Sequence, residues 1–563
     1  MRPFRTHRTA VLLATCLAAL STSAAAQPVE VSHPVAPFLR RLEEKKLIPP
    51  GFRSTLPRDA AEIADALRQA EARKAELPAW DRRKLDRYLS EFDPERRWNG
   101  TRLRYRDSSF ALLGHLEYFT GIYARDSVPK AETYAFGSFT PGVDGTYGDN
   151  VYFTVSGTVS MERNVHERFT QNYDPRRGLP YNADTDVPMT RVSTFDGMRA
   201  VVGFGDRALR LEAGQDWNQW GPGHWQRATL GTRPHFWAAD SLGPSDPTSM
   251  AVFPGNGGDF MKVRRGYRYP GEGAPLPQIR LRMGGRSWNY VKIVARRTGL
   301  SSDSLAYLVA HRLQVRLGPV TLGGTEMLIS ARPLDGLVLL PGLPLKIAEH
   351  SGGDRDNVVM SGDLEWQWGQ GSLYGELMLD DFKGLPLDYW VNKLAWTVGG
   401  SWQDPLGTPA TLRAEYARVN PFVYGHYLYD TQMQHYGALL GSSLPPNSQA
   451  VFASATLPLP FLAPFRALDA EGGLEWSWRQ RDVKPRGSSL FDDYILNRPP
   501  DRAEFLERDV ETRSAVTATA EWNWRHRAHF KAGVGGLWVS NWKGNPGVTV
   551  ATPTASGEIT LKY

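Results

Sequence analysis

The stretch DRDNVVMSGDLEWQWGQGSLYGELMLDDFK, residues 354–383, decides how the chain is read. Along its first arm Leu364, Trp366 and Trp368 alternate with Asp363, Glu365 and Gln367; along its second, Leu373, Leu377 and Leu379 alternate with Tyr374, Glu376 and Asp380. A period of two sends successive side chains to opposite faces of a strand, so each arm is a strand with one apolar and one polar face. Only Gly369-Gln370-Gly371 separates the arms, which predicts a tight antiparallel hairpin. Its apolar face needs either a protein core or lipid, and the rest of the sequence chooses between them.

The same period runs from Trp98 to the C-terminus. Val151, Phe153, Val155, Val159 and Met161 oppose Tyr152, Thr154, Ser156, Thr158 and Ser160, and Ile279, Leu281 and Met283 oppose Gln278, Arg280 and Arg282. Leu313, Val315 and Leu317 oppose Arg312, Gln314 and Arg316, and two late segments around Trp476/Trp478 and Trp522/Trp524 alternate alike. Roughly sixteen to twenty such segments can be placed, within the range of outer-membrane barrels. A sandwich would pack two apolar faces together and would not set so many Arg and Glu across a shared interior. The 563 residues include 54 Gly, 18 Trp, 22 Tyr and 23 Phe, yet mean hydropathy is only −0.40. That combination suits a barrel, whose lipid-facing and lumen-facing residues dilute one another. Past the N-terminus no apolar run is long enough for a membrane helix. The repeated pairs Trp366/Trp368, Trp476/Trp478 and Trp522/Trp524 predict interfacial girdles. In the hairpin, Leu364, Trp366, Leu377 and Leu379 are predicted to face lipid and Asp363, Glu365, Glu376 and Asp380 the lumen, with the Gly369–Gly371 turn toward the periplasm.

Residues 1–26 have the pattern of a secretory signal peptide: basic Arg2, Arg5, His7 and Arg8, an apolar run from Val11 to Leu20, and Ala24-Ala25-Ala26 before Gln27. Cys16, the one cysteine, lies within it. Lipid modification there is disfavoured, because Thr15 fits poorly and the apolar run continues beyond. An exported chain without other cysteines must be stable without disulfides, as a closed sheet can be. The net charge of +6 is spread along the chain, which argues against nucleic acid and leaves an acidic glycan or anionic lipid as plausible neighbours.

Residues 27–97 read as helical. Phe38, Leu39 and Leu42 form one stripe; Ile63, Ala66, Leu67 and Ala70 a second behind a capping box, Asp59-Ala-Ala-Glu62; and Leu85, Tyr88, Leu89 and Phe92 a third after Pro78. Helices this short bury little alone and are predicted to dock on the barrel of residues 98–563 as a periplasmic plug.

Long Gly/Pro/aromatic connections span 165–188, 216–277, 420–446 and 484–508, lengths expected of binding or closing loops. No HExxH, GxSxG, P-loop or cysteine-pair pattern occurs, so neither a catalytic residue nor a cofactor is assigned. Asp354-Arg-Asp356-Asn357 and Asp184-Thr-Asp186 have spaced carboxylates but lack a full calcium loop, so no metal is assigned and solvated loops are favoured. Glu376 and Asp380 share a strand face; charge balance with Arg from neighbouring strands is favoured over a working carboxylate pair. Sugar rings stack on aromatic side chains, and their hydroxyls and carboxylates bind polar ones. Trp217, Trp220, His224 and Trp225 supply both, and Tyr424, His426, Tyr427 and Tyr429 form a second cluster. The competing reading of either cluster is packing that closes the barrel.

Several blocks resemble the capsule assembly protein Wzi family of outer-membrane barrels. They are His33-Pro-Val-Ala-Pro-Phe-Leu-Arg-Arg-Leu42 with Leu56-Pro-Arg-Asp-Ala-Ala-Glu-Ile63, then Trp220-Gly-Pro-Gly223, and 339–350 leading into 354–382. Arg413-Ala-Glu-Tyr-Ala-Arg-Val-Asn-Pro-Phe-Val-Tyr424 and 440–448 complete the set. The resemblance implies an eighteen-stranded barrel with a periplasmic helical bundle, closed by its loops, acting as a surface lectin for capsular polysaccharide. The last residues, Gly557 to Tyr563, alternate and end on an aromatic, similar to the terminal signal that the barrel assembly machinery reads. The expectation is thus a non-enzymatic outer-membrane barrel in contact with membrane lipid, holding capsular or extracellular polysaccharide through Trp217, Trp220, His224, Trp225, Tyr424 and Tyr427. A diffusion porin is the alternative.

Overall fold

The structure is a computed structural model that describes residues 27–563, apart from 126–131, 164–172, 175–178, 188–191, 232–249, 255–259, 265–274, 299–304, 463–467, 489–501 and shorter breaks. Eighteen strands close into one antiparallel barrel. The first nine are β1 Phe110–Arg125, β2 Glu132–Tyr147, β3 Val151–Arg163, β4 Val192–Gly205, β5 Leu209–Asp216, β6 Leu276–Gly284, β7 Trp288–Thr298, β8 Leu305–Leu317 and β9 Val320–Ser330. They are followed by β10 Asn357–Trp368, β11 Gly371–Asp381, β12 Lys393–Gln403, β13 Thr411–Val419, β14 Ser448–Pro458, β15 Leu468–Asp482, β16 Val510–Trp524, β17 Ala528–Ser540 and β18 Thr549–Lys562. Each pairs with its neighbour in this order, and β18 closes on β1, with Lys562 opposite Glu117.

The opening hairpin is β10 and β11, with Trp368 opposite Gly371 and Asp363 opposite Glu376. Gly369 has φ +48°, a conformation costly for a residue with a Cβ. Leu364, Trp366 and Leu377 are exposed on the outer wall, while Asp363, Glu365, Glu376 and Asp380 are buried inside. The outer wall elsewhere is likewise apolar, with Val155, Val159, Met161, Ile279, Leu313 and Leu317 exposed. A closed barrel clad in exposed aliphatic side chains is the form that spans an outer membrane, where every backbone group must be paired within the sheet.

Connections alternate in length, so the barrel has a turn end and a loop end. Tyr147, Phe204, Trp288, Trp368, Trp402 and Trp524 are exposed beside the short turns and form one girdle. The predicted pair Trp476/Trp478 does not join it. Trp476 sits halfway along β15, opposite Val516, because alternation alone reports the face of a strand and not the height.

Among the described residues, four α-helices precede the barrel strands: α1 Val35–Glu44, α2 Ala60–Ala72, α3 Ala79–Phe92 and α4 Pro94–Gly100. All three predicted stripes meet in one core around Leu42, Leu67, Leu85 and Leu89, with Ala66 at its edge. The fourth helix was not anticipated, and it carries helix past the change of period placed at Trp98. Pro94 opens it and the Asp93 carboxylate accepts from the Arg96 N–H at 3.1 Å. The capping box is not made, for Asp59 gives α2 no side-chain cap and is paired instead with Arg210 of β5.

The bundle docks across the turn end. Arg41 donates to Asp81 at 2.9 Å and to Gln403 at 2.8 Å, Glu44 accepts from Ser372 at 2.7 Å, and Lys84 pairs with Glu471 at 2.5 Å. Near the loop end the 331–356 connection carries two short helices, α5 Gly336–Leu339 and α6 Leu345–Ser351, against the outside of the wall.

Candidate functional site

The segment after β5 turns into the lumen. Gln219–Trp220 pairs on one side with Thr55–Leu56, from the loop between α1 and α2, and on the other with Leu230–Gly231. This three-stranded patch brings the helical bundle and the 217–231 segment together inside the barrel. Trp220-Gly-Pro-Gly223 makes the turn possible. Gly221 has φ +111°, and a Cβ there would lie 2.6 Å from a Glu376 carboxylate oxygen; one on Gly223 would lie 1.7 Å from the Gln226 carbonyl.

Wall carboxylates hold this inward loop by its backbone. Glu376 of β11 accepts from the N–H groups of Ala228 at 3.0 Å and Thr229 at 3.1 Å and from the Thr229 hydroxyl at 2.8 Å. Glu415 of β13 accepts from the N–H groups of His224 at 2.6 Å and Gln226 at 2.7 Å, and from the Tyr374 hydroxyl at 2.7 Å. Asp380 accepts from the Tyr424 N–H at 2.7 Å. The expectation that Glu376 and Asp380 balance Arg on neighbouring strands is therefore corrected: both serve as acceptors for loop backbone. Arg-carboxylate pairing does occur nearby, in Arg312–Asp363 at 2.6 Å and Arg280–Asp216 at 3.0 Å. Arg312 also donates to Ser54 at 3.1 Å and Thr55 at 2.9 Å, tying the bundle's loop to the wall.

A second inward layer comes from 420–447. Gly231 N–H donates to the Leu440 carbonyl at 2.7 Å, the Ser442 hydroxyl to Gln226 Oε1 at 2.7 Å, and the Tyr424 hydroxyl to the Ala228 carbonyl at 2.9 Å. Around these bonds lies an apolar core enclosed by the barrel itself, in which Trp220, Leu230, Val423, Tyr424, Met433 and Leu440 meet inward side chains of β7 to β14. Burial raises the Tyr424 hydroxyl above its ordinary pKa. Burial, reinforced by Arg297, pushes His435 down to about 3 and so keeps the imidazole neutral.

The residues assigned to sugar from the sequence fall into two groups. Trp217, Trp220 and Tyr424 are buried in the layers just described. His224 and Trp225 are half-buried, their rings edge-to-face at 4.6 Å, with Trp225 stacked on Phe452 at 5.4 Å and 12°. Tyr427 and the side chain of Tyr429 lie outside the described residues, so of the second cluster Tyr424 and His426 are described. Glu376, Glu415 and Asp380 as backbone acceptors were missed. A signal existed: Glu376 faces Asp363 on one neighbour and Thr397 on the other, so no adjacent strand offers it a cation. Asp356, from one of the carboxylate motifs, pairs with Arg332 at 2.8 Å. Asp354 and the side chains of Asp184 and Asp186 are outside the described residues. Among the described residues no group of three His, Cys, Asp or Glu has a metal-holding arrangement.

No protein-family model matches the chain, and no curated protein does either. Among solved structures the chain is similar to Wzi, an outer-membrane protein involved in group 1 capsule assembly in Escherichia coli and described as a carbohydrate-binding β-barrel. The two share 12% identity and a TM-score of 0.56 over 95% of this chain and 99% of that one. The likeness establishes the fold. Pseudomonas aeruginosa OpdK with vanillate aligns at 10% identity and a TM-score of 0.43 over 80% of this chain and 98% of that one. Pseudomonas aeruginosa OprD aligns at 9% and 0.40 over 80% and 95%.

Proposed function

We propose that this outer-membrane barrel is a non-enzymatic surface protein of the Wzi type that binds and anchors capsular or extracellular polysaccharide. In this reading the loop end faces outward, as in outer-membrane barrels generally, and the helical bundle closes the periplasmic side. The observation that carries it is the filled lumen: the 217–231 and 420–447 segments are bonded by backbone to Glu376, Glu415 and Asp380 around an apolar core. A wall built for passage would leave those carboxylates to water or solute. His224 and Trp225 offer a polar ring and an aromatic face to sugar, while Trp217, Trp220 and Tyr424 hold the loops that present them. The test is retention of purified capsular polysaccharide by the full chain and by His224→Ala/Trp225→Ala. Loss of retention in a double variant that stays folded supports the assignment; unchanged retention removes both residues from the site.

The second reading, a diffusion porin, rests on β15 to β18 and β1. There the inward side chains Glu521, Lys531 and Glu117 keep about a third of their surface open, at 32%, 34% and 40%. Steady conductance with no polysaccharide retention would favour it.

A further inference from the structure

The connection from β9 to β10, 331–356, does not stand away from the loop end. It folds down the outside of the barrel, where Val338, Leu345 and Ala348 of its two helices cover the outward side chains Val309, Leu328 and Val358. Its lowest point reaches the lipid-facing belt, because the Gly342 N–H donates at 2.8 Å to the Tyr290 hydroxyl, and Tyr290 is opposite Leu313, which is exposed on the wall. The face turned away from the barrel is apolar, with Leu337, Leu339, Leu340 and Ile347 exposed.

The backbone at this low point is satisfied by side chains of the wall. Besides the Gly342–Tyr290 bond, Lys292 Nζ donates to the Leu340 carbonyl at 2.7 Å, and the Leu345 N–H donates to Glu326 at 2.7 Å, whose carboxylate also meets His311 at 3.0 Å. Tyr290, Lys292, His311 and Glu326 all point out of the barrel, a placement hydrocarbon penalises unless each is covered and paired. Water would have met those backbone groups at no structural expense; lipid cannot, so irregular backbone at membrane depth has to find protein partners. On the other side of the barrel the wall near the loop end is polar, with Tyr416 bonded to Gln449, Gln449 to Gln480 and Gln480 to Thr512.

We propose that α5 and α6 form a membrane-embedded collar, lying in the outer leaflet with lipid acyl chains packed on Leu337, Leu339, Leu340 and Ile347. The apolar cladding of β8 to β10 thus continues through the collar, and the outward polar cluster is its anchor. The test uses the full chain with Cys16→Ala, reconstituted in liposomes, carrying one spin label at a time through Leu340→Cys, Ile347→Cys, Leu364→Cys or Leu406→Cys. Leu364 lies on the lipid-facing wall, and Leu406 is 93% exposed in a turn-end loop. Collision with oxygen, which concentrates in hydrocarbon, is compared with collision with a water-soluble nickel chelate. Labels at 340 and 347 that match 364 support the proposal. Labels that match 406 overturn it, and so do labels shielded from both reagents with spin-spin broadening, which would place a second copy of the chain on this face.

Discussion

The two sides of the barrel wall share one alternation of apolar and polar side chains and differ in what becomes of the inward charges. On β5 to β14 the inward charges are sealed, with the Arg312 and Asp363 side chains each 1% exposed. On β15 to β18 and β1 the inward charges toward the turn end are paired but open, as in Lys531–Glu521 at 3.1 Å, while Glu511 near the loop end is sealed against Arg513 at 2.7 Å. Both sides have the same alternation, so the difference comes from what the loops place against them. A charge becomes structural when an inward loop covers it, with backbone N–H groups at Glu376 and Glu415 and with the Ser54 and Thr55 hydroxyls at Arg312; uncovered, it remains a solvated lining.

That contrast sets the order of expected effects. Arg312→Met should be the most damaging, leaving Asp363 buried without its cation at a cost of about 3–5 kcal/mol; the equivalent Lys531→Met should cost ~0–1 kcal/mol. Denaturant unfolding of the refolded barrel measures both, and equal losses would erase the distinction between the sides. Next comes Glu415→Ala, which strands the N–H groups of His224, Trp225 and Gln226. Losing this one charged acceptor costs about 1.5–3 kcal/mol, so amide exchange in 223–226 should accelerate by an order of magnitude or more, while β15 to β18 stay unchanged. Protection that persists would show that Glu415 is not the anchor.

The effect that is smallest near neutral pH is that of acidification on His435. His435 is held neutral with a pKa pushed down to about 3, below the ordinary value of 6.5, so the unfolded segment binds the proton more readily than the folded one. Its contribution to stability is therefore complete above pH 6.5 and is lost as pH falls toward 3, at about 1.4 kcal/mol per pH unit at most. Protection of the antiparallel pair Gln434 and Leu439, taken relative to intrinsic exchange, should fall on acidification in the parent and lose that dependence in His435→Gln.

Much of the fold was legible in the sequence because alternation separates the two faces of a strand, plainly so in the hairpin 354–383, and the repetition of that pattern down the chain turns the apolar face to lipid. The helical stripes were equally plain, since Leu42, Leu67 and Leu85 recur at helical spacing. Height along the wall was not legible, which is why Trp476 was placed in a girdle it does not join. The inward course of the loops was not legible either. Trp217 and Trp220 have the composition of a sugar platform and of a plug, and only the Glu376 and Glu415 contacts place Trp220 within the lumen. The collar was hidden for a related reason: 336–351 has the apolar content of another strand, and nothing local says that it lies on the outside.

The most direct test of the account is single-channel conductance of the full chain in a planar bilayer beside Glu376→Ala/Glu415→Ala. A lumen filled by anchored loops gives no steady channel in the parent and open, steady conductance in the double variant, whose inward loop has lost its anchors. A parent that conducts as well as the variant would contradict it.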